Sequence, residues 1–153
     1  EQFKSLEIPP LIDLALDKLY KSEEFRKFGG KIKIEKKIPY QLPQIRANST
    51  LAEVFLNLLT NPVKAMPNGG YIEILSKVES EWVLISIKDN GPGIPAEMHD
   101  MIFDSKFSGA GQSGHGLGLW WSRAYVRALG GDILLDSNRG QGACFIVKLP
   151  VTS

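Results

Sequence analysis

Apolar residues recur along this chain at two spacings, and the alternation between them lays out a layered domain. Behind Pro9-Pro10, residues Leu11, Ile12, Ala15 and Leu19 fall on one face at helical spacing, and proline suits a helix's first turn. After Gly29-Gly30, the run Lys31-Ile-Lys-Ile-Glu-Lys-Lys-Ile38 alternates like a half-buried strand. A proline-containing connection leads to Thr50-Leu-Ala-Glu53, which reads as a capping box opening a strong helix. In that helix Leu51, Val54, Phe55, Leu58 and Leu59 form a core-facing stripe. Asn68-Gly-Gly70 turns into two strands, at 71–76 and 82–87. Residues 91–113 are rich in Gly, Ser and Pro and read as loop, with one helical turn around 98–103. A helix over 117–129 and strands at 132–135 and 143–149 complete the pattern, which holds no internal repeat. Irregular alternation with hairpin-like strand pairs predicts an α+β fold, a mixed sheet with helices layered on one face.

Bulk properties narrow this modestly. At 153 residues the chain is expected to be one domain, large enough to bury a core without staples. A net charge of +1 argues against bulk nucleic-acid binding. Lys31, Lys33, Lys36 and Lys37 make one strand locally basic, and a solvated strand face explains them. The single cysteine, Cys144, excludes an internal disulfide framework and fits a reducing compartment. No apolar stretch reaches the roughly 20 residues of a membrane helix, and no signal peptide opens the chain. The opening Glu1-Gln-Phe-Lys4 reads as cut from something longer.

Three features carry chemistry. On the helix from Leu51, a second stripe is polar: Glu53, Asn57, Asn61 and Lys64. Such a stripe is ordinarily a solvent face. Two asparagines one turn apart are an odd choice for an idle surface, because asparagine is a mediocre helix former. An amide oxygen is also a suitable hard ligand for a magnesium ion that keeps waters and phosphate oxygens as its other ligands. Glu53 is assigned to capping alone. Asp89 ends the apolar strand Val83-Leu-Ile-Ser-Ile-Lys-Asp89, before Asn-Gly-Pro-Gly. It reads either as turn chemistry or as a carboxylate accepting from the exocyclic amine of adenine, with Gly91 and Gly93 letting backbone approach the base. Third, Gly114-His-Gly-Leu-Gly-Leu119 feeds a helix start, where unpaired N–H groups and the helix dipole favour phosphate.

Taken in order, Asn57-Leu-Leu-Thr-Asn61, Asp89-Asn-Gly-Pro-Gly93, Ile102-Phe103, Gly114-His-Gly-Leu-Gly118 and Gly140-Gln-Gly142 resemble the boxes of the histidine-kinase catalytic domain. That domain belongs to the superfamily of gyrase, heat-shock-chaperone, histidine-kinase and mismatch-repair ATPases, and the resemblance runs from about Ile8 to Val151. It implies a two-layer α/β sandwich of the Bergerat type, a mixed sheet with three main helices on one face. The implied cofactors are ATP and Mg2+. Asn61 resembles the magnesium ligand, Asn57 its partner in the stripe, and Lys64 the basic residue that meets phosphate. Asp89 resembles the adenine anchor, with Gly91, Gly93 and Ile94 beside the base. Ile102 and Phe103 resemble the hinge of a lid spanning about 91–113. Gly114, His115, Gly116, Leu117 and Gly118 resemble the phosphate side, and Gly140 and Gly142 the glycine turn near the purine. The implied partners are ATP or ADP, a histidine-bearing dimerisation domain absent from this chain, and a response regulator. The implied setting is cytoplasmic, with neither nucleic acid nor direct membrane contact.

Within that superfamily the hydrolysing branches carry a glutamate base where Asn57 stands, and an amide cannot take up a proton at neutral pH. Asn57 therefore favours phosphoryl transfer over hydrolysis. An ATP-hydrolysing machine and a degenerate nucleotide-binding module are the alternatives. His99 and His115 are the only histidines, and both lie inside the nucleotide domain, so the phosphoacceptor is expected elsewhere. The chain departs from the family pattern at Pro62, which implies that the helix ends or kinks there, or that Asn61 is displaced. It departs again in the short lid, where Lys106 is a candidate for a missing basic residue, and at Ala143-Cys144, where threonine is usual.

Overall fold

The computed structural model describes residues 1–104, 118–137 and 142–152. In chain order the elements are β1 (Lys4–Leu6), α1 (Ile8–Tyr20), α2 (Glu23–Phe28), β2 (Ile32–Lys37), β3 (Ile45–Ala47), α3 (Leu51–Ala65), β4 (Gly70–Glu79), β5 (Trp82–Asp89), α4 (Leu119–Ala128), β6 (Asp132–Ser137) and β7 (Ala143–Pro150). Five strands form one sheet in the order β2-β4-β5-β7-β6. β2 runs parallel to β4 and every other neighbour is antiparallel, so the sheet is mixed. The architecture is the α+β sandwich expected, with α1, α3 and α4 as its long helices and the six-residue α2 added.

Alternation within the strands explains the two layers. Val83, Ile85 and Ile87 of β5 and Phe145, Val147 and Leu149 of β7 are buried, while their neighbours are partly or fully exposed. A strand presents every second side chain to one face, and the helices cover that face. α3 lies at the centre of the helical layer and packs against α1, α2, α4 and β5. Its apolar stripe is fully read by the fold: Leu51, Val54, Phe55, Leu58 and Leu59 are all at most 1% exposed.

The entry to α3 differs from the expected capping box. Thr50 is already in helical geometry (φ −60°, ψ −23°), and its side chain caps nothing. Asn48 does that work: its Oδ1 accepts from Thr50 N–H at 3.1 Å and its backbone carbonyl accepts from Leu51 N–H at 3.1 Å. The same Oδ1 accepts from the Tyr125 hydroxyl of α4 at 2.6 Å, and Asn48 Nδ2 donates to the Glu1 carbonyl at 2.8 Å. Glu53 does not turn back to the helix start; it pairs with Lys18 of α1. Because the chain begins its turn two residues early, the Thr50 side chain is past the point where it could reach an unpaired N–H.

Pro62 does not end the helix. α3 continues to Ala65, and Met66 N–H closes on the Pro62 carbonyl at 3.1 Å. A proline this close to the end forfeits one backbone bond and leaves the final turn otherwise intact.

Two small elements go beyond the sequence pattern. β1 and β3 pair antiparallel into a separate ribbon, and α2 starts at Ser22, whose Oγ accepts from Phe25 N–H at 3.2 Å. The basic strand is a solvated face, as expected: Lys33, Lys36 and Lys37 pair with Glu35, Asp13 and Glu73. Among the described residues no helix is long and apolar enough to cross a membrane.

The packing of α3 yields a direct check. Leu58→Ala should destabilise the domain by about 3 kcal/mol through lost burial and a residual cavity, whereas Leu14→Ala, on the exposed side of α1, should cost under about 1 kcal/mol. Urea unfolding of the two variants measures the difference.

Candidate nucleotide site

A cleft of about 340 Å³ opens where the last turn of α3 meets the ends of β5 and β7. One wall is α3, through Asn61, Pro62 and Ala65. The floor is Asp89 with Ala143 and Phe145, and the opposite wall is the loop from Pro92 to Met98, closed by Ile102 and Leu119. The lining is overwhelmingly apolar, with the Asp89 carboxylate and the Asn61 amide as its conspicuous polar groups. That is the composition of a small-molecule site whose few polar groups set orientation.

Asp89 is 8% exposed. Its Oδ1 accepts from Gly91 N–H at 2.8 Å and from Ala143 N–H at 3.3 Å. Among the described residues Oδ2 takes no partner, so an acceptor is left open to whatever occupies the cleft. Burial pushes the carboxyl's pKa up, and the Gly91 and Ala143 N–H groups pull part of that shift back.

Three glycines are needed around this carboxylate. A Cβ on Gly142 would lie 1.9 Å from the Asp89 carbonyl oxygen, and its φ of +84° is left-handed. A Cβ on Gly91 would meet an Asp89 oxygen and Met66 at 3.0 Å. Gly93 has φ +79°, where the loop turns beside the cleft. Asn90 locks the loop's other end, accepting from Tyr71 N–H at 2.8 Å through Oδ1 while its own N–H donates to the Tyr71 carbonyl at 3.2 Å.

The residues singled out in the sequence separate into two groups. Asn61, Asp89, Gly93, Ile94 and Ile102 line the cleft, and Gly91 and Gly142 buttress Asp89. Asn57, Lys64 and Phe103 do not line it. Asn57 is buried under α4, its Nδ2 donating to Ser122 Oγ at 3.0 Å, so this position of the polar stripe is an interhelical contact and not a solvent face. Lys64 is half-buried on the last turn of α3. Phe103 packs edge-on against Phe145, its ring beneath the Arg123 guanidinium at 4.4 Å. Gly118 stands immediately before α4, its carbonyl accepting from Trp121 N–H at 3.1 Å. Gly114, His115, Gly116, Leu117, Gly140, Lys106 and the lid's second half lie outside the described residues.

Sequence reasoning did not find Leu119, Met98, Ser137 or the wall role of Pro62. Ser137 Oγ accepts from Ile94 N–H at 2.9 Å across 43 residues of chain, a pairing without a local signal.

Residues 47–153 match the family described as histidine kinase-, DNA gyrase B-, and HSP90-like ATPase, and the chain belongs to that family. The adaptive-response sensory kinase SasA of Gloeothece citriformis (strain PCC 7424) is 42% identical over 125 residues, which cover 78% of this chain and 32% of that protein. Its namesake in Synechococcus sp. (strain CC9311) is 38% identical over 144 residues, covering 90% and 36%. The chain thus spans about a third of the length of these sensory kinases. Among solved structures, the catalytic domain of histidine kinase ThkA matches with a TM-score of 0.78 and 29% identity over 100% of both chains. The mycobacterial sensor histidine kinase MprB shares the fold, with a TM-score of 0.76, 22% identity and 97% coverage of each chain. Within the family, the likeness is to the ATP-binding catalytic domain of sensor histidine kinases.

The glycine requirement is testable without any ligand. Gly142→Ala should destabilise the domain by about 2 kcal/mol or more, through left-handed strain and the close Asp89 carbonyl, while Gly30→Ala, with nothing within 4 Å, should change stability by under about 0.5 kcal/mol. Equal denaturation midpoints for the two variants would contradict the wedge.

Proposed function

We propose that this chain is the phosphoryl-donor domain of a protein-histidine kinase, binding ATP with magnesium and passing the γ-phosphate to a histidine on a separate dimerisation domain. The observation that carries this reading is the Asp89 carboxylate: buried, aimed into an apolar cleft, and with one oxygen unpartnered among the described residues. An ionised carboxylate only accepts, so it pairs with the exocyclic amine of adenine and opposes the carbonyl of guanine. Gly91 and Gly142 let backbone close around Asp89 on its partnered side, and the Ile94 and Phe145 side chains give the apolar surroundings that a purine needs.

Asn61 stands exposed at the cleft's edge, where its amide oxygen suits a hard cation that keeps water and phosphate oxygens as further ligands. Magnesium held there would neutralise phosphate charge during transfer. Asn57, one turn earlier, has its Nδ2 engaged with Ser122 and offers no base for water. A site with a purine anchor, a cation-suited amide and no such base is fitted to hand phosphate to another nucleophile. His99 lies within the nucleotide domain itself, its Nε2 bonded to the Ile94 carbonyl at 2.9 Å, and this favours an acceptor elsewhere. The acceptor therefore belongs to a partner domain, and the phosphorylated histidine to a relay that ends at a response regulator in the cytoplasm. ThkA has been crystallised in complex with the response regulator protein TrrA, which supports the same arrangement here.

Asp89 gives the sharpest test. ADP and ATP should bind with GTP disfavoured by up to about 10⁴-fold, and Asp89→Asn should weaken both adenine nucleotides by about ten- to a hundredfold. Because Oδ1 is taken by two N–H groups, protonation would place a hydrogen on Oδ2 and turn the free acceptor into a donor; burial raises the pKa, so ADP affinity should fall on acidification, beginning at a higher pH than for an ordinary aspartate. Calorimetric titration across pH reads both effects. Comparable ATP and GTP affinities would remove the adenine assignment.

Transfer is tested separately. Asn61→Ala should lower phosphotransfer at least about a hundredfold while ADP binding changes by less than about threefold, because the base pocket is untouched. With the dimerisation domain of the parent kinase supplied as a separate protein, acid-labile label should appear on that protein. Stable label on His99 or His115 of this chain, or rapid hydrolysis without a partner, would overturn the donor reading.

A further inference from the structure

The loop wall of the cleft carries little secondary structure of its own, only a short helical turn at Ala96–Met98. Nevertheless both peptide groups of one residue in it, Ile94, are held by side chains. The Ile94 N–H donates to Ser137 Oγ at 2.9 Å, and the Ile94 carbonyl accepts from His99 Nε2 at 2.9 Å. A carbonyl can only accept, so the ring hydrogen sits on Nε2. The Ser137 hydroxyl passes its own hydrogen to the Gly142 carbonyl at 3.1 Å. One hydroxyl thus ties the loop wall to the end of β6 and to the glycine wedged against Asp89.

These contacts are part-buried, and neither Ser137 nor His99 lines the cleft, whereas Ile94 does. Without them the Ile94 peptide would have only water as a partner, and the wall would be free to move away from the floor formed by Asp89, Ala143 and Phe145.

We propose that Ser137 and His99 are positioning residues for purine binding, gripping the Ile94 peptide groups so that the side chain stands at a fixed distance across the cleft from Phe145. This rests on reading the cleft as a nucleotide site. It also gives the lone described histidine a task that consumes its Nε2 hydrogen. The grip acts on the base end of the site, so it sets affinity and leaves the chemistry of the transferred phosphate alone.

The experiment is titration of ADP, with magnesium, into the wild-type chain and four variants, at a temperature where each is folded by circular dichroism. Ser137→Ala and His99→Leu should each weaken ADP by about three- to tenfold, the equivalent of one lost hydrogen bond. His99→Gln and Ser137→Thr, which keep a donor and a hydroxyl, should restore affinity to within about twofold of wild type. In a transfer assay the two damaging variants should raise KM for ATP by the same factor at unchanged kcat. Wild-type affinity in Ser137→Ala and His99→Leu would overturn the proposal, and so would an equal loss in the conservative pair. If one alanine or leucine variant does not fold, the other decides. Failure of the wild-type chain to bind ADP would instead remove the nucleotide reading itself.

Discussion

A carboxylate buried at the end of a central strand is costly unless its oxygens are met, and much of the local structure follows from how Asp89 is met. One oxygen takes two backbone N–H groups, from Gly91 behind it and from Ala143 on the neighbouring strand. For Ala143 to reach, β7 must run beside β5 up to its last residue, in the register that opposes Lys88 to Cys144. For β7 to begin there, residue 142 must lie against the Asp89 backbone, where only a glycine fits. The same crowding acts at Gly91, where a Cβ would lie 3.0 Å from Asp89 Oδ1. The glycines around the cleft are thus consequences of holding one charge in an apolar place with half of it left over.

The second organising element is α3, which serves two surfaces at once. Its apolar stripe fills the core against the sheet and α1, and its end forms a wall of the cleft. Between these lies Asn57, tied to Ser122 of α4, while Asn48 before the helix is tied to Tyr125 of the same helix. Two polar bridges, from Asn48 to Tyr125 and from Asn57 to Ser122, fix α4 against α3 more specifically than apolar packing could, because each has one satisfying geometry. Phe3 packs edge-on against Tyr125 and the Glu1 carbonyl receives Asn48, so the strand preceding α1 is joined to the same contact. The N-terminal ribbon, the start of α3 and the middle of α4 therefore share one small polar junction.

What was legible in the sequence follows the range of the interactions involved. The helical stripe of α3, the alternation in β5 and β7, and the turn glycines are local patterns, and each appears where its period or turn chemistry places it. Asp89 was legible because a charged residue ending an apolar strand, before Asn-Gly-Pro-Gly, is incongruous as plain strand. The capping box failed because the true cap, Asn48, is selected by Tyr125, 77 residues away. β1 and β3 are three residues each and have no period to detect. α2 could have been found, since Ser22 followed by Glu23 and Glu24 is a helix start with acids near the dipole's positive end. Pro62 reads as ending or kinking the helix or displacing Asn61, and of these the ending fails because, one turn from the end of α3, tertiary packing outweighs one missing bond.

In the proposed reaction the division of labour follows from the same chemistry. Recognition of adenine needs an acceptor held rigidly, and Asp89 is rigid because strand, turn and neighbouring strand all converge on it. Transfer needs a cation-suited group, and Asn61 is placed on the rim, where solvent can complete a coordination shell. Hydrolysis would need a base beside that rim, and the side chain one turn back is an amide whose nitrogen is already engaged with α4. A glutamate at 57 would meet the Ser122 hydroxyl as an acceptor, reversing the direction of the bridge and engaging the carboxylate that would have to serve as base. In that proposal the amide at 57 serves both as the interhelical bridge and as the residue that supplies no base.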